Sequence, residues 1–161
     1  MKQLIFCLIG FSFLQIANAQ PKERSIIIGS VYHDINELQT FNGYKEQEGT
    51  VIGNDGLGLS MITKRNYTII LLDKVISNTP IVKYKILDIA VVGNVEPTQM
   101  IIISYCRLDK KNRVIALVKK ANKGYYNKVL KAWGINLNTK RVERISVKGV
   151  PCTDENYTET D

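Results

Sequence analysis

From Asn66 to Val147 the chain is a succession of β-branched and aromatic runs, each cut off by turn residues after roughly 10 to 15 positions. The runs are "NYTIILLDKVI", "IVKYKILDIAVVG", "TQMIIISYC", "VIALVKK", "YYNKVLKAWGINL" and "RVERISV". Connections this short leave no room for crossover helices, so neighbouring strands must pair antiparallel. The pattern predicts a mainly β fold: an antiparallel meander of about six strands with at most one or two short helices, α+β being the alternative. In the second run the apolar alternation Val82, Tyr84, Ile86 shifts to Leu87, Ile89, Val91, which predicts a bulge near Leu87 or Asp88. Tyr125, Val129, Trp133, Ile135 and Leu137 occupy one face of a long strand, with a helix as the alternative for 125–132. "RLDKKNR" and "ANKG" read as turns and "NTK" as a three-residue hairpin loop.

The first third is less regular. "SIIIGSVY" predicts a first strand. In "HDINELQTF", Asp34 followed by Glu37 resembles a capping box and predicts one short helix. Asn42 to Ser60 is rich in Gly and polar residues and reads as loops, with one short strand at Thr50 to Ile52. The sheet needs a second layer, either the helix at 34–41 or the sheet curling onto itself.

The N-terminus "MKQLIFCLIGFSFLQIANAQ" has a positive residue, an apolar stretch and the small residues Ala17 and Ala19 before Gln20. This matches a cleavable export signal over residues 1–19. The apolar stretch falls short of the roughly 20 residues a membrane-spanning helix needs. Residues 20–153 are expected to form one exported β-rich domain, periplasmic or secreted, and 154–161 an acidic tail with Asp154, Glu155, Glu159 and Asp161. Cleavage removes Cys7 and leaves Cys106 and Cys152 in an oxidising compartment, where only one intramolecular disulfide is possible. It would clasp the tail to a strand near the centre of the sheet. Two thiols and the single, distant His33 are too few for a zinc site.

Recognisable catalytic chemistry is sparse. "GNDGLGLS", Gly53 to Ser60, lacks the Gly-Lys-Ser/Thr ending of a phosphate loop and the carboxylates of a calcium loop. No Gly-x-Ser-x-Gly elbow is present. His33 is the one candidate general base, with Asp34 or Asp88 as its carboxylate. Adjacent residues on an extended chain point to opposite faces, which disfavours His33 with Asp34. Cys106 as a nucleophile would need a lowered pKa, which Arg107 and Lys110 favour and a paired Cys152 forbids. No cofactor motif is present. "NYT" at Asn66 and Asn156 forms glycosylation sequons, relevant only in a eukaryotic host, and the leader looks bacterial.

Charge is the strongest surface feature. The chain has a formal net charge of +7, and Arg107 to Lys148 holds 13 Lys or Arg against Asp109 and Glu143. The candidate binding surface is Arg107, Lys110, Lys111, Arg113, Lys119, Lys120, Lys128, Lys131, Arg141 and Arg144, with the turn 107–113 foremost. Such a surface attracts an acidic protein or an anionic envelope polymer. Nucleic acid is not expected, since no helix-turn-helix or RNP-like motif is present.

The order of the C-terminal half, a strand ending in cysteine, "VIALVKK", "KAWGINLNTKRVERI" and "KGVPCTDENY", resembles small exported bacterial proteins in which an Ala-Trp strand, a Thr-Lys or Thr-Gly hairpin and a Val-x-Cys tail recur. The resemblance covers about residues 86 to 157. It departs at Gly134, where a larger polar residue is expected after the tryptophan. It implies a secreted domain with Cys106 and Cys152 paired, and no activity or catalytic residues. The resulting expectation is a non-enzymatic exported domain that binds a protein or polyanion, in an immunity, inhibitor-like or envelope-associated role. A small periplasmic hydrolase built on His33 and a structural envelope protein without a ligand are the alternatives.

Overall fold

The computed structural model describes residues 24, 26–52, 55–107, 113–120 and 128–152. The expected leader 1–19, the acidic tail 154–161, Lys110 and Lys111 lie outside these residues. The described chain forms nine strands: β1 Val31–Tyr32, β2 Lys45–Val51, β3 Leu57–Lys64, β4 Tyr67–Ser77, β5 Lys83–Asn94, β6 Gln99–Arg107, β7 Arg113–Lys119, β8 Val129–Asn136 and β9 Arg141–Ile145. They build two antiparallel sheets, ordered β1-β5-β4-β3-β2 and β6-β7-β8-β9. The six strands expected after Asn66 are β4 to β9. The fold is therefore mainly β.

The two sheets face each other across one apolar core. Leu57 and Leu59 of β3, Ile70 and Leu72 of β4, and Ala90 and Val92 of β5 meet Ile103, Ile115, Leu117, Trp133, Ile135 and Val142 of the second sheet. Each fully buried Leu or Ile contributes about 1.5–3 kcal/mol relative to exposure. The bulge falls where the alternation shifts: Leu72 pairs with Asp88 and Asp73 with Ile86, leaving Leu87 as the extra residue. A second bulge skips Leu130, because Leu117 pairs with Lys131 and Val118 with Val129. Val129 is thereby turned to the opposite face from Trp133 and Ile135, so the expected single face of β8 is broken. Leu137 also leaves the strand. It begins a four-residue turn, 137–140, between the Asn136–Arg141 pair, where Asn136 Oδ1 accepts from the backbone N–H of Asn138 and of Thr139.

Both outer faces are apolar too, and each is covered by a chain end. Over the first sheet, Ile27, Tyr32, Ile35 and Phe41 pack on Ile62, Ile69, Leu71, Ile86 and Ile89. Of the expected first strand, Val31 and Tyr32 form β1, and Gly29 and Ser30 ahead of them exchange backbone hydrogen bonds with Ile86. Before them, the Ile28 N–H bonds to the Arg24 carbonyl in a helical turn, and Gly29 at φ +90° redirects the chain. The expected helix is two short 3₁₀ turns, Ile35–Glu37 and Gln39–Phe41. Over the second sheet, Val150 and Cys152 cover Ile102, Val114, Ala116, Val118 and Ala132. The Cys106–Cys152 disulfide fastens this strap. Its anchor is β6, an edge strand, and not the sheet's centre as the sequence reading had it. The polar segment read as loops with one short strand instead forms β2 and the first half of β3. All but one residue of β2 are exposed, and it is held through its pairing with β3.

Asp88 joins three parts of the molecule. It lies on β5 with 1% exposure and projects between the sheets. Its carboxylate accepts from Arg24 Nε and Nη2 at 2.8 and 2.6 Å, from its neighbour Ile89 N–H at 2.9 Å, and from Val142 N–H of β9 at 2.9 Å. Replacing Asp88 by Ala strands two buried backbone donors and a guanidinium, so it should lower the unfolding free energy by about 3 kcal/mol. Arg24→Ala, whose side chain is 41% exposed, should cost distinctly less. Equal losses in urea titrations of the two variants would contradict this arrangement. Removing the disulfide by Cys106→Ser/Cys152→Ser should cost up to about 4 kcal/mol, the chain-entropy value for a loop of this length.

Candidate functional site

A groove of about 680 Å³ opens at the end of the sandwich where β3 turns into β4. Its lining comes from three elements. The β2–β3 hairpin supplies Lys45, Gln47, Met61 and Thr63, the β3–β4 turn and its exit supply Arg65, Asn66 and Thr68, and the β5–β6 crossing supplies Val95, Pro97 and Ile101. It exists because β2 is the overhanging edge of the larger sheet and adds no residue to the inter-sheet core. The inner side of the hairpin thus lies toward Ile101 of β6.

The groove has a polar half and an apolar half. Among the described residues Lys45 and Arg65 are its cations, and no carboxylate lines it. Neither cation makes a salt bridge or side-chain hydrogen bond to any described residue. Lys64, next to Arg65, is committed elsewhere: its ammonium donates to the Asn42 carbonyl at 2.9 Å and sits 5.8 Å from the Tyr44 ring centroid. Thr63 and Thr68 bond to each other at 3.2 Å. Arg65 adopts φ +59°, a left-handed conformation that costs a non-glycine residue about 1 kcal/mol. Met61, Val95, Pro97 and Ile101 form the apolar side.

The cations singled out in the sequence are split between the two ends of the second sheet. Lys119, Lys120 and Lys128 are exposed at the groove's end: Lys119 pairs with Gln99, its N–H bonds to the Lys128 carbonyl, and the Lys120 N–H bonds to the Thr98 carbonyl. The backbones of Arg107 and Arg113 pair at the opposite end, where the exposed Arg141 lies as well. Arg144 is exposed on β9, opposite Trp133. Lys131 points between the sheets and donates to the Val92 carbonyl at 2.7 Å, so it is withdrawn from the surface set. Lys45 and Arg65 escaped the sequence reading. One sits on a segment taken for loop, and the other in a tight turn far from it in the chain.

The general-base candidates do not assemble. His33 Nδ1 lies 2.9 Å from the Val82 carbonyl. Asp34 Oδ1 accepts from the N–H and side-chain amide of Asn36 and caps its 3₁₀ turn. Those bonds hold the Asp34 carboxyl below the usual carboxylate range, which makes it a weak base. Glu37 reaches back to the His33 N–H, one residue off the capping-box partner. Asp88 is occupied as described above. No cluster of three or more metal-ligating side chains exists among the described residues, and no helix there is long and apolar enough to cross a membrane. No protein-family model matches the chain, and no curated protein or solved structure matches it.

One buried polar cluster lies on the outer face of the first sheet. Tyr32 Oη and Ser60 Oγ both donate to Asp73 Oδ2 at 2.9 Å. All three side chains are buried. A Cβ at Gly58 would sit 3.0 Å from Asp73 Oδ1, so a side chain there would press on the carboxylate and shift it by a few tenths of an ångström. With no open approach, the cluster acts as a latch between the amino-terminal cover and the sheet. Burial pushes the Asp73 carboxyl up, against the hydrogen bonds from Ser60 and Tyr32. Burial, then the nearby Asp73 charge, push the Tyr32 hydroxyl up as well.

A raised folded-state value means that the folded chain holds the Asp73 proton more tightly than the unfolded chain. The stability it contributes is complete below the ordinary carboxylate value of about 3.9 and is lost as pH rises through the raised value. Asp73→Asn should therefore gain on the wild type as pH rises from about 4 to about 8. Urea unfolding of both proteins at a series of pH values checks this, and a gap moving the other way refutes it.

Proposed function

We propose that this chain is an exported, non-enzymatic binding protein whose partner presents acidic groups beside apolar ones, and that it takes the partner at the Lys45–Arg65 groove. The observation that carries this reading is a groove whose two cations have no partner among the described residues and whose described lining holds no carboxylate. Lys119, Lys120 and Lys128 at the same end extend the attraction. The leader-like N-terminus, the disulfide and the net charge of +7 agree with an exported domain that meets an anionic partner. The apolar half favours an acidic protein segment over a bare polysaccharide, because a sugar polymer has little to place against Met61, Val95 and Ile101. An immunity or inhibitor-like role fits such a partner. The hydrolase alternative draws no support from His33, whose Nδ1 meets a backbone carbonyl.

The test compares three probes: a glutamate–tyrosine copolymer, polyglutamate and dextran sulfate. The copolymer should bind most tightly, and its affinity should fall as salt is raised. Lys45→Glu/Arg65→Glu should weaken it by roughly ten-fold or more. Arg65→Gly should also weaken binding while keeping or raising stability by up to about 1 kcal/mol, since glycine accepts the left-handed backbone. Binding untouched by the double charge reversal would remove the groove from consideration.

A further inference from the structure

Turn residues are ordinarily polar, because turns stand in water. The end of the sandwich opposite the groove departs from this. Val51 closes β2, Ile76 and Ile81 flank the turn between β4 and β5, and Leu137 opens the turn between β8 and β9. Their exposures run from 47% to 71%. Ile76 owes its position to register: Val75 pairs with Tyr84 and Ser77 with Lys83, so Ile76 is the extra residue of a bulge. These turns form one surface. Asp55, just ahead of β3, meets Lys140 of the β8–β9 turn at 3.8 Å. Its neighbour Gly56 accepts, through its carbonyl, from the Val75 N–H beside Ile76 at 2.9 Å.

Cations stand just behind the apolar tips. Lys74 of β4 and Lys85 of β5 are cross-strand partners and leave the same face of the sheet. Lys83 lies two residues along β5 on that face, and the exposed Val31 pairs with Lys85 from the edge. Two lysines directly opposite repel each other, a cost that a bound anion relieves. Arg141 is exposed at the start of β9. None of these four cations makes a salt bridge or side-chain hydrogen bond to a described residue. The nearby carboxylates are engaged: Asp55 by Lys140, Asp34 by Asn36 and Glu37 by the His33 N–H.

We infer that this end of the sandwich docks on a bilayer surface rich in anionic phospholipid. Val51, Ile76, Ile81 and Leu137 enter the headgroup–acyl boundary, and Lys74, Lys83, Lys85 and Arg141 stay level with the phosphates. Apolar side chains carried singly on separate turns suit a fluid hydrocarbon, which closes round each one. A protein interface instead concentrates its energy in one packed cluster. Docked this way, the domain holds its groove away from the membrane, because the eleven residues of β4 set the two ends about 35 Å apart. The inference rests on residues outside the groove, so it stands or falls separately from the proposed function.

Vesicle flotation of the full chain tests it, with neutral phosphatidylcholine vesicles and with an equal mixture of phosphatidylcholine and phosphatidylglycerol. The wild type should partition onto the mixed vesicles at least roughly ten-fold more strongly than onto the neutral ones. Each lysine at an anionic surface is worth roughly five-fold, so Lys83→Glu/Lys85→Glu should weaken partitioning at least roughly ten-fold. Ile76→Ser/Ile81→Ser/Leu137→Ser keeps every cation and should weaken it by a similar factor. All these positions are exposed, so both variants should unfold in urea close to the wild type. The fluorescence of Ile81→Trp should shift to the blue on the mixed vesicles and be quenched by brominated acyl chains. Equal partitioning onto the two vesicles, or partitioning unchanged by either set of substitutions, overturns the inference. So do tip substitutions that weaken glutamate–tyrosine copolymer binding and spare the vesicles, which would assign the tips to a protein partner. Vesicle binding with these properties but no copolymer binding supports the inference and overturns the proposed function.

Discussion

The molecule depends on a single carboxylate set where three pieces of chain meet. Asp88 is inward-facing only because the Leu87 bulge shifts the phase of β5. There it accepts from the backbone of β9 and from Arg24, ahead of the amino-terminal cover. The free half of β5 would otherwise present an open margin to β9 with no ladder between the two sheets. The Asp88 side chain supplies the missing bond across that margin, and Lys131 does the same further along by donating to Val92. Side chains thus close a seam that backbone pairing leaves open.

A second constraint follows from composition. Strands that are apolar on both faces cannot stop at a two-layer sandwich, because each outer face would expose a row of Ile and Val to water. This chain answers with its own ends. The amino-terminal cover is latched by Tyr32 on Asp73, and the carboxy-terminal strap is held by the disulfide. The groove is the place where this layering runs out: β2 extends the first sheet beyond the second, and nothing in the described chain lies across it.

What could be read from the sequence follows from which forces leave a periodic trace. Two-fold alternation in "KYKILDIAVVG" recorded both the strand and its bulge, since a one-residue slip moves every side chain to the other face. The cysteine pair was legible from the leader-like N-terminus and the cysteine count. β2 left no trace, because a solvent-exposed edge strand held by backbone bonds has no apolar pattern to show. Lys131 was misassigned to the surface for a related reason: its partner is a backbone carbonyl, which no sequence pattern displays. The groove was invisible because Lys45 and Arg65 come together only through the register of β2 on β3, where Lys45 faces Thr63 one step from the turn.

The disulfide also sets an order of events. Its two residues are 46 positions apart, and the later one follows every strand of the described residues. Until the strap arrives, Ile102, Val114, Ala116, Val118 and Ala132 form a bare, β-rich apolar face. A chain emerging N-terminus first would pass through this state with all its strands made and one side uncovered, the kind of surface on which nascent chains associate. The last residue to be secured is therefore the one that ends the risk of self-association.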